Sequence, residues 1–136
     1  MGGPKPIAYT PFGELVVLVF FGLTAVCGTY FLQTGSISTN ACLLGLALGS
    51  IASGVLAVNN FRDYEHDSSI GRNTLAVVIG KPGFLKLFHC LMLVPYAALV
   101  IMGVNSTSHW PILIAFATLP LAVSIAKNLA QKEHEA

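Results

Sequence analysis

Residues Leu15 to Leu32 and Ser36 to Asn60 carry no charged side chain, and each run is close to the ~20 residues with which an α-helix crosses a bilayer. Leu87 to Val104 and Trp110 to Ala126 are two more uncharged runs, interrupted by His89, Pro95 and Pro120, which bundled membrane helices tolerate. In hydrocarbon every backbone N–H and C=O must be satisfied internally. The expected fold is therefore all-α, a polytopic bundle of four transmembrane helices in one membrane domain spanning 1–136. Its helices are expected over about 14–33, 38–67, 85–104 and 110–127. Composition agrees: 54% of the residues are hydrophobic, 10% are charged and the mean hydropathy is +0.74, beyond an ordinary soluble domain.

Four crossings leave two short turns on one side, Gln33 to Thr39 and Asn105 to His109. Both termini and the loop over 59–84 fall on the other. Lys5, Arg62, Arg72, Lys81, Lys86, Lys127 and Lys132 are all the basic residues of the chain, and all lie on that second side. By the positive-inside rule it is the cytoplasmic side. The opening "MGGPKPIAYTPFGEL" lacks the apolar core of a secretory signal and reads as a loop entering the first helix. A net charge of +1 gives no reason to expect nucleic acid, which would call for a basic face. Cys27, Cys42 and Cys90 have no C-x-x-C spacing, so neither a disulfide framework nor a zinc site is expected; they read as small apolar fillers. Asn105-Ser106-Thr107 matches the glycosylation tripeptide but sits in a very short turn.

The charge that remains is concentrated. "NNFRDYEHD" places Arg62, Asp63, Glu65 and Asp67 within six positions at a membrane boundary. If the second helix runs through the stretch, Asn59, Asp63 and Asp67 are spaced i, i+4, i+8 and stack on one face. Two carboxylates one turn apart repel, which invites a cation. Mg²⁺ suits the pattern, since it is held by one or two carboxylates and completes its shell with water and substrate phosphates. Arg62 and Arg72 flank the acids, with Lys81 further on, and can grip phosphate oxygens. Gly71 is placed to end the helix and bring "GRNT" back over the mouth. The plain alternative is a solvated charged loop between two membrane helices, because D-x-x-x-D alone is a weak pattern.

"NNFRDYEHDSSIGRNTLAVVIG" resembles the second aspartate-rich motif of UbiA-type intramembrane prenyltransferases, whose menaquinone branch reads approximately N-N-x-R-D-x-x-x-D-x-x-x-G-K-x-T-L-A. "GELVVLVFFGLTAVCGTYFLQTG" is similar to the corresponding first helix of that branch. The resemblance implies transfer of a polyprenyl group from polyprenyl diphosphate to 1,4-dihydroxy-2-naphthoate, with Mg²⁺ as cofactor, in the bacterial inner membrane and among its lipids. It implies Asp63 and Asp67 as metal ligands and catalytic residues, and Arg62, Arg72, Asn59 and Asn60 as diphosphate contacts. Arg72 stands where the family usually has Lys, a change of donor geometry at constant charge. It also implies about nine membrane helices in two pseudo-repeated halves, the first half carrying an N-x-x-x-D-x-x-x-D motif absent here. The expectation is half of a nine-helix fold, one wall of a cavity, inactive without a missing N-terminal half.

Gly45, Gly49 and Ser53 recur every four residues on the helix that leads into the acids. Small residues at this spacing let membrane helices approach closely; a smooth wall for a prenyl tail is the alternative. Glu14 reads as an acid favouring a helix N-terminus. His66 falls off the face of the aspartates and is left outside the site, whereas His89 fits either a substrate path or a snorkelling side chain. Tyr30 and Trp110 suit an aromatic belt. Two other readings stand beside the first: the same reaction on 4-hydroxybenzoate, homogentisate or a porphyrin, and a non-catalytic four-helix membrane protein that binds lipid or a partner.

Overall fold

The computed structural model describes residues 6–105 and 114–135, and among them the chain is helical and has no strand. After a 3₁₀ turn at Ile7–Tyr9, α1 runs Gly13–Thr34 with a π-helical stretch at Leu18–Thr24. Gly35, in the left-handed region at φ 69°, ends it. Ser38 then caps α2, Thr39–Arg62, by accepting from the Ala41 N–H at 3.2 Å. A short α3, Tyr64–Ser69, follows directly, then α4, Leu75–Asn105, and α5, Leu119–Glu135. The first, second and fourth of these are long and apolar enough to cross a membrane. The apolar helix Ile114–Leu129 is shorter, and residues 110–113 of the expected fourth crossing, with Trp110, lie outside the described residues. So do Ser106 and Thr107 of the tripeptide.

The expected loop over 59–84 is largely helical. α3 occupies part of it, and α4 begins at Leu75, ten positions before the hydropathy run suggests. "LAVVI" forms a first turn, Gly80 breaks it at φ 70°, ψ 171°, and Pro82 sits near the restart, where its missing N–H and fixed φ cost nothing. Lys81, Pro82, Gly83 and Lys86 dilute the hydropathy signal there without preventing a helix.

α2 is the central element, packed on α4 along one side and on α1 along the other. Its small-residue stripe faces α1. A Cβ placed on Gly22 would lie 2.6 Å from the Gly49 Cα, and one on Gly49 would lie 2.5 Å from the Leu18 carbonyl oxygen. The backbones touch, which leaves no room for a prenyl groove on that stripe and assigns it to packing. The same approach brings Cys27 and Cys42 to 3.6 Å between sulfurs, a thiol pair that sequence spacing did not reveal, while Cys90 is exposed. On the α4 side, Phe61 stacks on the fully buried Phe84 at 4.2 Å between ring centroids. Ala57, Ala76, Phe88, Leu91 and Ala126 complete that core. Phe61 immediately follows the paired Asn, so this stack fixes the end of α2 from which the acidic residues project.

Candidate functional site

The motif does not leave α2 as one straight helix. Asp63 lies at φ −91°, ψ 9° between α2 and α3, a bridge-region kink. The ladder nevertheless continues through it: Asp63 N–H donates to the Asn59 carbonyl at 3.1 Å and Asp67 N–H to the Asp63 carbonyl at 2.8 Å. Asn59, Asp63 and Asp67 thus keep their i, i+4 spacing, in markedly different surroundings.

The Asp63 side chain is 50% exposed and pairs with the Arg62 Nε at 3.1 Å, Arg62 itself being 72% exposed. The hydrogen bond from Arg62 holds the Asp63 carboxyl below the usual carboxylate range. Exposed pairs of this kind contribute little to stability, ~0–1 kcal/mol. Asp67 is the opposite case. Its side chain is 5% exposed, and the Arg72 Nη1 meets its Oδ1 at 3.0 Å.

Gly71 explains that pairing. At φ 71° it closes α3 with a Schellman motif, in which Gly71 N–H donates to the Ser68 carbonyl at 3.3 Å and Arg72 N–H to the Asp67 carbonyl at 2.9 Å. The turn therefore returns Arg72 to Asp67 through both backbone and side chain. Tyr9, which sequence reasoning did not single out, lies under the Arg72 guanidinium at 4.0 Å, and the two help line a cavity of about 570 Å³ with Pro6, Pro11 and Asn73. Lys81 reaches Glu65 at 3.4 Å. Asn59 is exposed, whereas Asn60 donates from Nδ2 to the Glu14 Oε1 at 2.8 Å. Glu14, expected as an acid favouring a helix N-terminus, does lie in the first turn of α1 and is buried there. His89 is exposed, contacts the Leu85 carbonyl through Nδ1 at 2.6 Å, and lines an open apolar groove of about 880 Å³ along α4.

Among the described residues no three His, Cys, Asp or Glu side chains converge to cage a metal. What the motif offers is two carboxylates one turn apart, one facing solvent and one with a single oxygen committed to Arg72. That donor set fits a hard cation which draws the rest of its ligands from water and phosphate.

The model of the UbiA prenyltransferase family matches residues 6–136. Among curated proteins, the 1,4-dihydroxy-2-naphthoate octaprenyltransferase of Haemophilus influenzae is 47% identical over 91 residues, covering 67% of this chain and 29% of that protein. The protein of the same name in Bacillus subtilis is 36% identical over 135 residues, 97% of this chain and 42% of its own length. That of Escherichia coli is 34% identical over 133 residues, 96% and 42% respectively. The chain thus spans well under half the length of these relatives. No solved structure matches.

Proposed function

The chain belongs to the UbiA prenyltransferase family, and its apolar helices mark it as an integral membrane protein; from that premise we propose that it serves transfer of a polyprenyl group from polyprenyl diphosphate to 1,4-dihydroxy-2-naphthoate. The products are demethylmenaquinol, which keeps the hydroquinone oxidation level of the acceptor, pyrophosphate, and CO₂ from the ring carboxylate. The observation that carries this reading is the turn Asp63–Asp67, with Arg62 on one acid and Arg72 on the other. This is an anion-and-cation site at the end of a membrane helix, in a chain similar over almost its full length to relatives that bear that name.

Asp63 and Asp67 would hold Mg²⁺, which neutralises a diphosphate and makes it a better leaving group. The rest of the work falls to the chain's own side chains. Arg62, with Asn59 beside it, offers N–H donors to the diphosphate oxygens, and charge-assisted bonds of this kind strengthen as the allylic C–O bond breaks and charge gathers on the departing oxygens. Arg72, braced by Asp67 and Tyr9, presents its remaining guanidinium donors from a fixed position. The electron-rich ring carbon of the acceptor then attacks the allylic carbon, so no covalent bond to the protein is needed. In this reading the motif, both termini and every basic residue face the cytoplasm of a bacterial cell. The rest of the cavity comes from sequence outside these 136 residues.

The test is prenyl transfer in membranes supplied with 1,4-dihydroxy-2-naphthoate, a polyprenyl diphosphate and Mg²⁺. It is run for this chain alone and for the chain joined to the preceding portion of the Bacillus subtilis relative, each with and without Asp63→Ala. Activity in the joined protein that collapses on substitution supports the reading; activity indifferent to Asp63 refutes it. Preference for 4-hydroxybenzoate in the same assay would move the acceptor and keep the reaction.

A further inference from the structure

Of the described carboxylates only Glu14 and Asp67 are buried, and Glu14, at 4% exposure, has no cationic partner among the ion pairs of the described residues. Two hydrogen bonds tie it to the helix that carries the motif, and one of its oxygens is left over. Its Oε1 accepts from Asn60 Nδ2 at 2.8 Å. Its main-chain oxygen accepts from Ser53 Oγ at 2.9 Å. Its Oε2 is buried and has no hydrogen-bond partner among the described residues. Ser53 and Asn60 are seven positions apart, two turns of α2, so Glu14 is clamped along one stripe of that helix, with Gly13 packed on Leu56 between them.

A buried acceptor left unsatisfied costs about 1–3 kcal/mol, more when charged. A hydrophobic side chain here would avoid that cost. The fold keeps the carboxylate at the root of the acidic stretch, on an Asn that shares the i, i+3, i+7 face with Asp63 and Asp67. An amide has a donor end and an acceptor end, and which one faces outward is set by what the other end meets.

We propose that Glu14 is a positioning residue for the cation site: by accepting from Asn60 Nδ2 it fixes the amide, so that the carbonyl Oδ1 is the end left to a hard cation or its bound water. Without an acceptor at Glu14 the amide is free to rotate, and an NH₂ group turned outward opposes a cation. This rests on the reading of Asp63 and Asp67 as cation ligands.

The test uses the full chain in detergent micelles, with Mn²⁺ as the paramagnetic stand-in for Mg²⁺ and pyrophosphate as co-ligand. Affinity is read by electron paramagnetic resonance, and the fold by thermal melting. Outer partners of metal ligands typically contribute about 10–100-fold in affinity, so Glu14→Leu should weaken Mn²⁺ binding by that factor. Glu14→Gln, which retains an acceptor oxygen, should weaken it less. In an Asn60→Leu background either substitution should change the affinity by less than about 2-fold, because residues acting through one another are not additive. A structural role alone would lower the melting temperature and leave the affinity unmoved. Affinity unchanged in a folded Glu14→Leu protein overturns the proposal, as does an equal loss with and without Asn60. Should Glu14→Leu fail to fold, Glu14→Gln with and without Asn60→Leu carries the same comparison. Mn²⁺ binding indifferent to Asp63→Asn sinks the cation site and this inference together, whereas binding that needs Asp63 but not Glu14 sinks the inference alone.

Discussion

Replacing Gly49 by Ala adds one methyl group where α1 and α2 come closest. On the observed backbone that carbon lies 2.5 Å from the Leu18 carbonyl oxygen and 2.9 Å from the Gly22 Cα, and neither is the movable end of a side chain. Ordinary contact needs roughly 3.5 Å, so the helices must part locally by about 1 Å. Overpacking of this kind costs about 1–3 kcal/mol. The same displacement stretches the Ser53–Glu14 bond from 2.9 Å out of range, and an interhelical hydrogen bond in a membrane contributes about 0.6 kcal/mol. Gly49→Ala should therefore destabilise the chain by about 2–3 kcal/mol. Gly28, on α1, is the internal control: nothing lies within 4 Å of its added Cβ, and Gly28→Ala should stabilise by about 0.5–1 kcal/mol through backbone entropy. Reversible unfolding by SDS in mixed micelles measures both. A Gly49→Ala protein within about 0.5 kcal/mol of wild type, or a Gly28→Ala protein destabilised as much as Gly49→Ala, would show that the close approach is not what joins the two helices.

Removing Arg72 with Arg72→Met leaves Asp67 buried and unpaired, which should cost about 3–5 kcal/mol; Arg72→Lys, which keeps the charge, should recover part of it in the same unfolding assay. Gly71→Ala meets open space but must hold a φ of 71°, so the expected loss is about 1–2 kcal/mol, with Arg72 loosened from Asp67 and its amide exchanging faster with deuterium. Arg62 depresses the Asp63 carboxyl, so the ionised form adds stability above the ordinary Asp range, and that contribution disappears as pH falls through the lowered value. In Arg62→Gln the disappearance should shift to higher pH, which the Asp63 carboxyl ¹³C resonance in metal-free protein reads directly; an unmoved titration would show that the pair does not set it.

Periodicity and local chemistry were legible in the sequence. Uncharged runs gave α1, α2 and the body of α4, and Gly71 announced the turn that carries Arg72 back. Gly45 and Gly49 announced a close helix contact, though the partner that receives it, Gly22, is visible only in three dimensions. Equal spacing of Asp63 and Asp67 suggested equal roles, but burial depends on what lies opposite: Arg72 and its turn cover one acid, solvent covers the other. Glu14 escaped for the same reason. Its partner is 46 positions away, and a carboxylate at the start of a helix has a sufficient local explanation. The cue that could have found it is the pairing of one acid with two Asn at the same membrane boundary, in a chain that otherwise keeps polar groups out.

The π-helical stretch Leu18–Thr24 makes chain length in α1 a constraint of its own. Glu14 must meet Asn60, and Leu18 and Gly22 must meet Gly49, so side chains four apart have to face one way. In an α-helix each residue turns about 100°, and by Gly22 the stripe begun at Glu14 would have drifted about 80° off line; the wider π turn takes up that drift. Adding one residue to this stretch at the ordinary α-helical turn would leave a helix that still spans a bilayer by count and still buries no charge in lipid. It would nevertheless swing Glu14 about 100° relative to Gly22 and unlatch the motif from below. Most lipid-facing side chains in this span are free to be exchanged for other apolar ones, but their number is not.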